Sequence, residues 1–420
     1  MKKKLENRKN NKSIIVSTMI FVITFIAMAG YLIYFNLTQA ESIINNSYNK
    51  RQGVLSRRTI RGSILSDDKT KLAVTNVDDD GNETRYYPYS GLFSHTIGYL
   101  NNGGYGLESL YGYYMLHSNQ NFFEQIGNDL SGNRNTGDNV VTTLNVDLQK
   151  ACYDALGSNR GAVIVMEPST GKTLAMVSKP DFEPNTLAAN WSQITGEGSD
   201  SVLVNRATQG LYPPGSTFKL ITMLEYLREH KNDYGQYHYI CDGTYELGNN
   251  TINCVRTTAH GDVDLFSSLA VSCNCSFINI GLSLDLDRYK KTAEKMLFNK
   301  ELPTNLEYNK SRFVLNGESS EWDIAQTSFG QGKTVITPFH LALITCTIAN
   351  NGTLMKPYLV SSVESTNGMT VKKFKEEKYD TLITEKEASL LKKGMEQVVK
   401  DSFSWLFGGV EYTLAAKSGS

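Results

Sequence analysis

A serine and a lysine three positions apart are the first residues of this chain whose spacing could support chemistry. They are Ser216 and Lys219, and they follow Pro213, Pro214 and Gly215. Two prolines forbid a helix immediately upstream, and the glycine permits a tight turn. The residues after Lys219 are apolar with the period of a buried helix. We therefore expect Ser216 at a helix start, with Lys219 one turn later on the same face.

This pair could carry out nucleophilic acyl transfer. A serine hydroxyl becomes a good nucleophile when a neighbouring base takes its proton, and a desolvated lysine can be that base. Backbone N–H groups at a helix start add a positive field for a developing anion. Ser-x-x-Lys occurs five times in the chain, so the spacing alone does not establish the site.

Two further motifs give the pair its context. Ser272-Cys-Asn274 follows it, and Lys417-Ser-Gly419, the one Lys-[Ser/Thr]-Gly sequence in the chain, comes last. Ser-x-x-Lys, Ser-x-Asn and Lys-Ser-Gly in this order, over about 200 residues, resemble the active-site set of penicillin-binding proteins and serine β-lactamases. The resemblance predicts a serine enzyme that forms an acyl intermediate.

A candidate membrane span precedes the domains that contain these motifs. Residues 1–12 form a basic tail with six Lys or Arg and one Glu, and residues 13–37 carry no charge and are mostly apolar. A run of this length can cross a bilayer. A basic segment before a single span predicts a cytoplasmic N-terminus, a single-pass membrane protein and an extracytoplasmic catalytic domain. The overall net charge of −1 gives no reason to expect a nucleic-acid partner.

The 420 residues leave room for two or three domains after that span. We predict a stalk and pedestal domain over 38–140, with a polar helical stalk at 38–56. The segment Arg61-Gly-Ser-Ile64 resembles the motif that opens the non-catalytic pedestal of class B penicillin-binding proteins. Its resemblance continues through Arg85–Tyr89 and Gly106–Glu108.

The transpeptidase domain is predicted over 141–420. Two apolar strands joined by a Pro/Gly turn at 161–177 indicate a hairpin, and residues 191–205 are polar and typical of a loop. The glycines of Ser328–Gly332 are expected to serve close packing. The resemblance implies an α+β fold in which an antiparallel sheet is flanked by helices. It also implies that Lys417–Ser420 begins a strand of that sheet, followed by further strands, so we expect the domain to be C-terminally incomplete.

The resemblance assigns a role to each motif residue. Ser216 attacks the carbonyl between the two D-alanines of a peptidoglycan stem peptide, and Lys219 accepts its proton. Ser272 relays a proton towards the leaving D-alanine, while Asn274 hydrogen-bonds the substrate amide. An amine of a neighbouring stem then resolves the acyl-enzyme into a cross-link, and β-lactams trap the same serine.

The last four residues are expected to bind the substrate's end. Lys417, assisted by Ser418, supplies charge for the terminal carboxylate. Backbone N–H groups of Ser216 and Ser420 form the oxyanion hole. Gly419 lies between Ser418 and Ser420 in the chain. Two alternatives stay open: a membrane-anchored serine β-lactamase, and a non-catalytic penicillin-binding sensor or scaffold. By resemblance, a membrane glycosyltransferase of the cell-wall machinery is the expected partner.

Acyl transfer of this kind needs no cofactor. The chain nevertheless contains six cysteines, and their roles must be explained. Cys152 and Cys346 lie in apolar helical contexts and are expected in the core. The other four crowd around the Ser272 motif. A zinc site of three thiolates and an imidazole is one interpretation, and a Cys241–Cys254 disulfide or entirely free thiols are the others. The predicted zinc ligands are Cys241, Cys254, Cys273 and His260.

Overall fold

The computed structural model describes residues 2–38, 56, 58–101, 103–196 and 199–420. Helix α1 (Lys2–Thr38) contains the predicted span. Within it, Lys12–Phe35 has a mean hydropathy of 2.2 and exposes its apolar side chains. By length and composition this helix could cross a membrane. The predicted stalk at 38–56 lies, apart from its two end residues, outside the described residues.

A small unit of short strands and helices follows α1. Its elements are β1 (Thr59–Ile60), β2 (Ile64–Leu65), β3 (Lys71–Val77), β4 (Glu83–Tyr86), α2 (Ser94–Ile97), α3 (Gly106–Leu110), α4 (Gly112–Met115), α5 (Phe122–Leu130), β5 (Asn135–Thr136) and β6 (Asn139–Thr142).

The Arg-Gly motif of this unit is a buried ion-pair centre. Glu108 is fully buried and accepts hydrogen bonds from Arg61 Nε at 2.9 Å and Arg85 Nε at 2.7 Å. A buried charge needs such partners, because an unpaired one is strongly destabilising. A Cβ on Gly62 would lie 2.0 Å from the Asp138 carbonyl oxygen, so this position requires glycine. The motif therefore contributes to the packing of the pedestal.

The rest of the chain forms a larger unit. Its elements are α6 (Val146–Leu156), β7 (Gly161–Met166), β8 (Thr173–Lys179), α7 (Leu187–Thr195), α8 (Lys219–Glu229), β9 (His238–Cys241), β10 (Thr244–Leu247), β11 (Asn250–Asn253), β12 (Gly261–Asp264), α9 (Leu265–Ala270), α10 (Asn274–Ser283), α11 (Leu286–Lys295), α12 (Glu321–Ser328), α13 (Pro338–Ala349), β13 (Thr353–Met355), β14 (Val360–Glu364), β15 (Thr370–Lys373), β16 (Lys378–Thr381), α14 (Glu385–Ser402) and α15 (Ser404–Phe407).

The two units share one six-stranded sheet, with the order β15-β14-β6-β2-β3-β4. Strands β14 and β15 come from the larger unit, and β14 pairs antiparallel with β6, where Val363 lies opposite Val140. Leu359 and Val360 pack into the same core cluster as Ile64 and Val140. The pedestal is therefore completed by a hairpin from late in the chain.

The predicted hairpin at 161–177 is confirmed as β7 and β8, which pair antiparallel. Helices α6 and α13 pack against it, and a second core surrounds α8. The α+β class is confirmed. The predicted loop at 191–205 is wrong in its first five residues, since α7 continues to Thr195. Residues 408–420, all described, lie in no helix or strand, because no strand in the described part of the chain pairs with Lys417–Ser420.

Candidate active site

The turn that presents Ser216 is held by close backbone packing. Gly215 has φ +57° and opens a 3₁₀ turn over Gly215–Phe218 that leads into α8, as predicted. Its N–H donates to the Gly330 carbonyl at 2.8 Å. A Cβ on Gly330 would lie 1.8 Å from the Gly215 carbonyl oxygen, and one on Gly215 would lie 2.6 Å from that of Ser420. Only glycines allow three segments to meet beside the serine.

Lys219, the first residue of α8, is completely buried one turn after Ser216. Its Nζ donates to the Ser272 carbonyl at 2.7 Å, to Ser272 Oγ at 3.3 Å and to Asn274 Oδ1 at 2.8 Å. Phe277 covers the amine with its ring centroid at 5.5 Å. Burial, and then the positive charge of Lys417, lower the pKa of Lys219 to about 7. A substantial neutral fraction is therefore available as a base near neutral pH.

Ser272 and Asn274 lie in the tight turn between α9 and α10. Ser272 has φ +57°, a left-handed conformation that costs a non-glycine residue roughly 1 kcal/mol. Asn274 is the first residue of α10, and its Nδ2 donates to the Asn253 carbonyl at 3.0 Å. Cys273 caps the same helix through its Sγ, which accepts the Ser276 N–H. The serine and asparagine thus reach Lys219, and the intervening cysteine reaches other thiols.

Lys417 approaches the same serine from the end of the chain. Its Nζ donates to Ser272 Oγ at 2.9 Å and to the Ser418 carbonyl at 3.1 Å. Burial lowers the pKa of Lys417 to about 8. The Ser272 hydroxyl therefore accepts hydrogen bonds from two lysines whose pKa values are both lowered.

The remaining predicted residues, Gly419 and Ser420, lie against the nucleophile turn. A Cβ on Gly419 would meet the Pro214 carbonyl oxygen at 3.2 Å, and the Ser420 nitrogen lies 2.9 Å from a Cβ built on Gly215. Gln331 Nε2 donates to the Ser420 carbonyl at 3.0 Å. Gln331 was not identified from the sequence as a supporting residue. Its position between two glycines of the Ser328–Gly332 block is the signal that could have indicated a side chain able to contact a neighbouring segment.

The predicted metal ligands form a second cluster. Ligand atoms of Cys241, Cys254, His260 and Cys273 all lie within 4.8 Å of one another. Cys241 Sγ is 3.8 Å from Cys254 Sγ and 3.5 Å from His260 Nδ1, and Cys254 Sγ is 3.8 Å from Cys273 Sγ. Tetrahedral zinc with Zn–S bonds of about 2.3 Å separates its sulfur ligands by about 3.8 Å. The donor set and its spacing therefore fit zinc.

A fourth thiol, which the sequence interpretation left without a role, contacts this cluster. Cys275 Sγ lies 3.4 Å from Cys254 Sγ. Hydrogen bonds with the thiols of Cys273 and Cys275 lower the pKa of Cys254. The other two cysteines, Cys152 and Cys346, are buried on helices α6 and α13, as predicted.

Comparison with known proteins gives two family matches. Residues 161–420 match the penicillin binding protein transpeptidase domain, and residues 61–140 match the penicillin binding protein A dimerisation domain. A curated relative, peptidoglycan D,D-transpeptidase PbpA of Mycolicibacterium smegmatis, is 31% identical over 69% of this chain and 61% of its own length. The chain thus spans about three-fifths of that relative.

Solved structures agree with these matches. The D,D-transpeptidase domain of a peptidoglycan glycosyltransferase from Eggerthella lenta has a TM-score of 0.77 and 29% identity, covering 86% of this chain and 87% of that one. Penicillin-binding protein A from M. tuberculosis, solved as an imipenem acyl-enzyme complex, also has a TM-score of 0.77, with 27% identity and coverages of 86% and 87%.

Proposed function

This chain belongs to the family of penicillin-binding protein transpeptidases, and we propose that it is a serine D,D-transpeptidase that cross-links peptidoglycan stem peptides. One observation carries the proposal: a fully buried lysine, one turn after Ser216, lies within hydrogen-bond distance of Ser272 and Asn274. Acylation of a serine needs such a base, and no cofactor is required for it.

The reaction follows from the charges around the serine. Neutral Lys219 takes the proton of Ser216 as its oxygen attacks the carbonyl between the two D-alanines. The Ser272 hydroxyl, which contacts both lysines, passes a proton to the departing D-alanine amine. Asn274 uses one N–H for Asn253 and Oδ1 for Lys219, so among the described residues its second N–H remains available to donate to the carbonyl of the substrate amide.

The end of the chain binds the charged parts of the substrate. Protonated Lys417, with Ser418 beside it, attracts the terminal carboxylate of the stem peptide. The backbone N–H groups of Ser216 and Ser420 stabilise the oxyanion, and Gly419 lets the Ser420 backbone approach the nucleophile turn. An amine of a second stem peptide then attacks the acyl-enzyme and forms the cross-link.

A fluorescent penicillin tests this function. The protein should form one covalent adduct, seen by intact-mass spectrometry, that Ser216→Ala abolishes. Ser389→Ala is the matched control, because Ser389 begins another Ser-x-x-Lys sequence and is exposed on α14. An adduct that survives in Ser216→Ala contradicts the assignment. Rapid hydrolysis of the penicillin would favour a β-lactamase, and a stable adduct without cross-linking of stem peptides would favour a sensor.

A second part of the proposal is a zinc site formed by Cys241, Cys254, Cys273 and His260. Its support is the mutual spacing of the ligand atoms and the burial of all three thiols. The metal would brace the Ser272–Asn274 turn from the side opposite Lys219. Structural zinc of this kind stabilises its local fold when bound.

Elemental analysis of protein purified without chelators tests the zinc site. We expect about one zinc per chain, lost in Cys254→Ser and kept in the control Cys346→Ser. Protein that contains no zinc and carries a Cys241–Cys254 disulfide would establish the alternative. Their sulfurs, at 3.8 Å, would then have to close to the ~2.05 Å of a bond.

The third part concerns the membrane. Helix α1 anchors the protein with residues 1–12 in the cytoplasm, supported by their six basic residues against one acidic residue. Protease added to intact spheroplasts should then digest the catalytic domain and leave a tag on the N-terminus protected. Digestion of the tag would contradict this orientation.

The expected partner is a membrane glycosyltransferase, contacted through α1 and the pedestal. Support comes from α5, which exposes Phe123, Ile126 and Leu130 at spacings that share one helix face. A photo-crosslinker at Phe123 should capture such a protein in membranes, whereas one at Glu124 should not. Equal capture at both positions would argue against docking through this face.

A further inference from the structure

Together with His260, the cysteine cluster has five potential ligands, one more than a tetrahedral metal uses. Three of its sulfurs belong to the proposed zinc site, and the fourth, Cys275, is completely buried with its Sγ 3.4 Å from that of Cys254. This separation is shorter than the 3.8 Å between Cys254 and either Cys241 or Cys273. Cys275 is therefore the sulfur nearest to Cys254 without being part of the ligand set.

The two cysteines lie on different segments that meet at the active site. Cys254 follows β11, and Cys275 is in the first turn of α10. Between the two segments, Asn274 Nδ2 already donates to the Asn253 carbonyl at 3.0 Å. A bond between the sulfurs needs a further approach of about 1.4 Å, to the usual ~2.05 Å.

We propose that Cys254 and Cys275 form a reversible disulfide that competes with the metal. This inference rests on the proposed zinc site, because the disulfide removes Cys254 from the ligand set. A hydroperoxide is the oxidant: the Cys254 sulfur attacks one peroxide oxygen and becomes a sulfenic acid, with water as the leaving product when the oxidant is hydrogen peroxide. The Cys275 thiol then attacks this sulfur and displaces the second water, so two thiols are oxidised and one peroxide is reduced.

The disulfide affects the catalytic residues through Asn274, which lies between Cys273 and Cys275 in the chain. Its Oδ1 accepts the hydrogen bond of Lys219. Loss of the metal frees Cys273, and the new bond pulls the start of α10 towards Asn253. Both changes alter the position of Asn274 relative to Lys219, so oxidised protein acylates more slowly than reduced protein.

Hydrogen peroxide titration of the purified, zinc-loaded full chain tests the proposal. A chromogenic chelator reports released zinc, and peptide mapping after alkylation reports disulfides. Trypsin cleavage after Arg256 separates Cys254 from Cys275, and fragment ions assign the linked cysteines. We expect one zinc released for each Cys254–Cys275 disulfide, recovery on adding dithiothreitol and zinc, and a parallel loss of penicillin acylation.

Two variants separate the possible outcomes. Cys275→Ser should still bind zinc and should retain it at peroxide concentrations that release zinc from the wild-type protein. The control Cys346→Ser should release zinc as the wild type does. Zinc release from Cys275→Ser at the wild-type peroxide concentration, or wild-type disulfides that join Cys254 only to Cys241 or Cys273, would overturn the proposal. A Cys254–Cys275 disulfide in protein that never binds zinc would instead refute the metal site and support the thiol pair.

Discussion

Lys219 and Lys417 donate hydrogen bonds to the same hydroxyl, that of Ser272, at 3.3 and 2.9 Å. Two ammonium groups this close cannot both remain fully protonated at low cost. The arrangement favours a state in which Lys219 is neutral and Lys417 is charged. In the proposed reaction, that state supplies a base for Ser216 and a positive charge for the substrate carboxylate at the same time.

The first prediction concerns the pH dependence of acylation. The pKa of Lys219 is lowered to about 7 and that of Lys417 to about 8. The second-order rate of acylation by penicillin should therefore rise as the pH passes about 7, because Lys219 loses its proton, and fall above about 8, because Lys417 loses its charge. A rate that keeps rising to pH 10 would contradict this assignment of base and cation.

The coupling between the two lysines gives a second prediction. Lys417→Met removes the positive charge that helps to lower the pKa of Lys219, so the rising part of the pH profile should move to higher pH. The maximal rate should also fall, because the carboxylate loses its partner. Lys393→Met, which removes an exposed lysine of α14, is the control and should leave the profile unchanged. An unshifted profile in Lys417→Met would show that the two charges are not coupled.

The buried lysine also makes stability depend on pH. The ordinary lysine pKa is 10.5, so between about pH 7 and 10.5 the unfolded chain binds a proton that the folded chain does not. Raising the pH through this window therefore favours folding. The Tm of the wild type minus that of Lys219→Met should increase from pH 7 to pH 10. A constant difference would mean that Lys219 titrates normally in the folded protein.

Close packing of the nucleophile turn gives a fourth prediction. Gly330→Ala puts a Cβ 1.8 Å from the Gly215 carbonyl oxygen at a residue with φ +85°. Backbone strain alone costs about 1–3 kcal/mol, and the overlap must also displace the turn that carries Ser216. Both Tm and acylation rate should fall. Gly317→Ala, at a glycine with open space around it, should change neither.

Metal removal gives the fifth prediction. A chelator should slow acylation by about 10- to 100-fold, the usual effect of losing a support around a site, and added zinc should restore the rate. The reason is that Cys273 lies between Ser272 and Asn274, which both contact Lys219. The same chelator should have no effect on Cys254→Ser. Unchanged acylation in chelated wild-type protein would show that the turn holds its shape without metal.

Local sequence was sufficient to predict the elements whose interactions join residues close together in the chain. The Pro-Pro-Gly sequence and the apolar period after it determine the turn and helix that carry Ser216 and Lys219. Two apolar runs joined by a Pro/Gly turn likewise determine the β7–β8 hairpin. These features could be predicted because their interactions join residues close in sequence.

Contacts between distant residues were decided only by the tertiary structure. The sequence predicts that Ser272 and Lys417 belong to one site. The hydrogen bond from Lys417 Nζ to the Ser272 hydroxyl, however, joins residues 145 positions apart and depends on how α8, α10 and the end of the chain pack. The addition of β14 to the pedestal sheet has no local signal either. For Cys275, the sequence shows only a cysteine near other cysteines. The packing of α10 against the segment after β11 decides that its sulfur meets Cys254, because many dispersed contacts set the distance between two segments and no single motif encodes it.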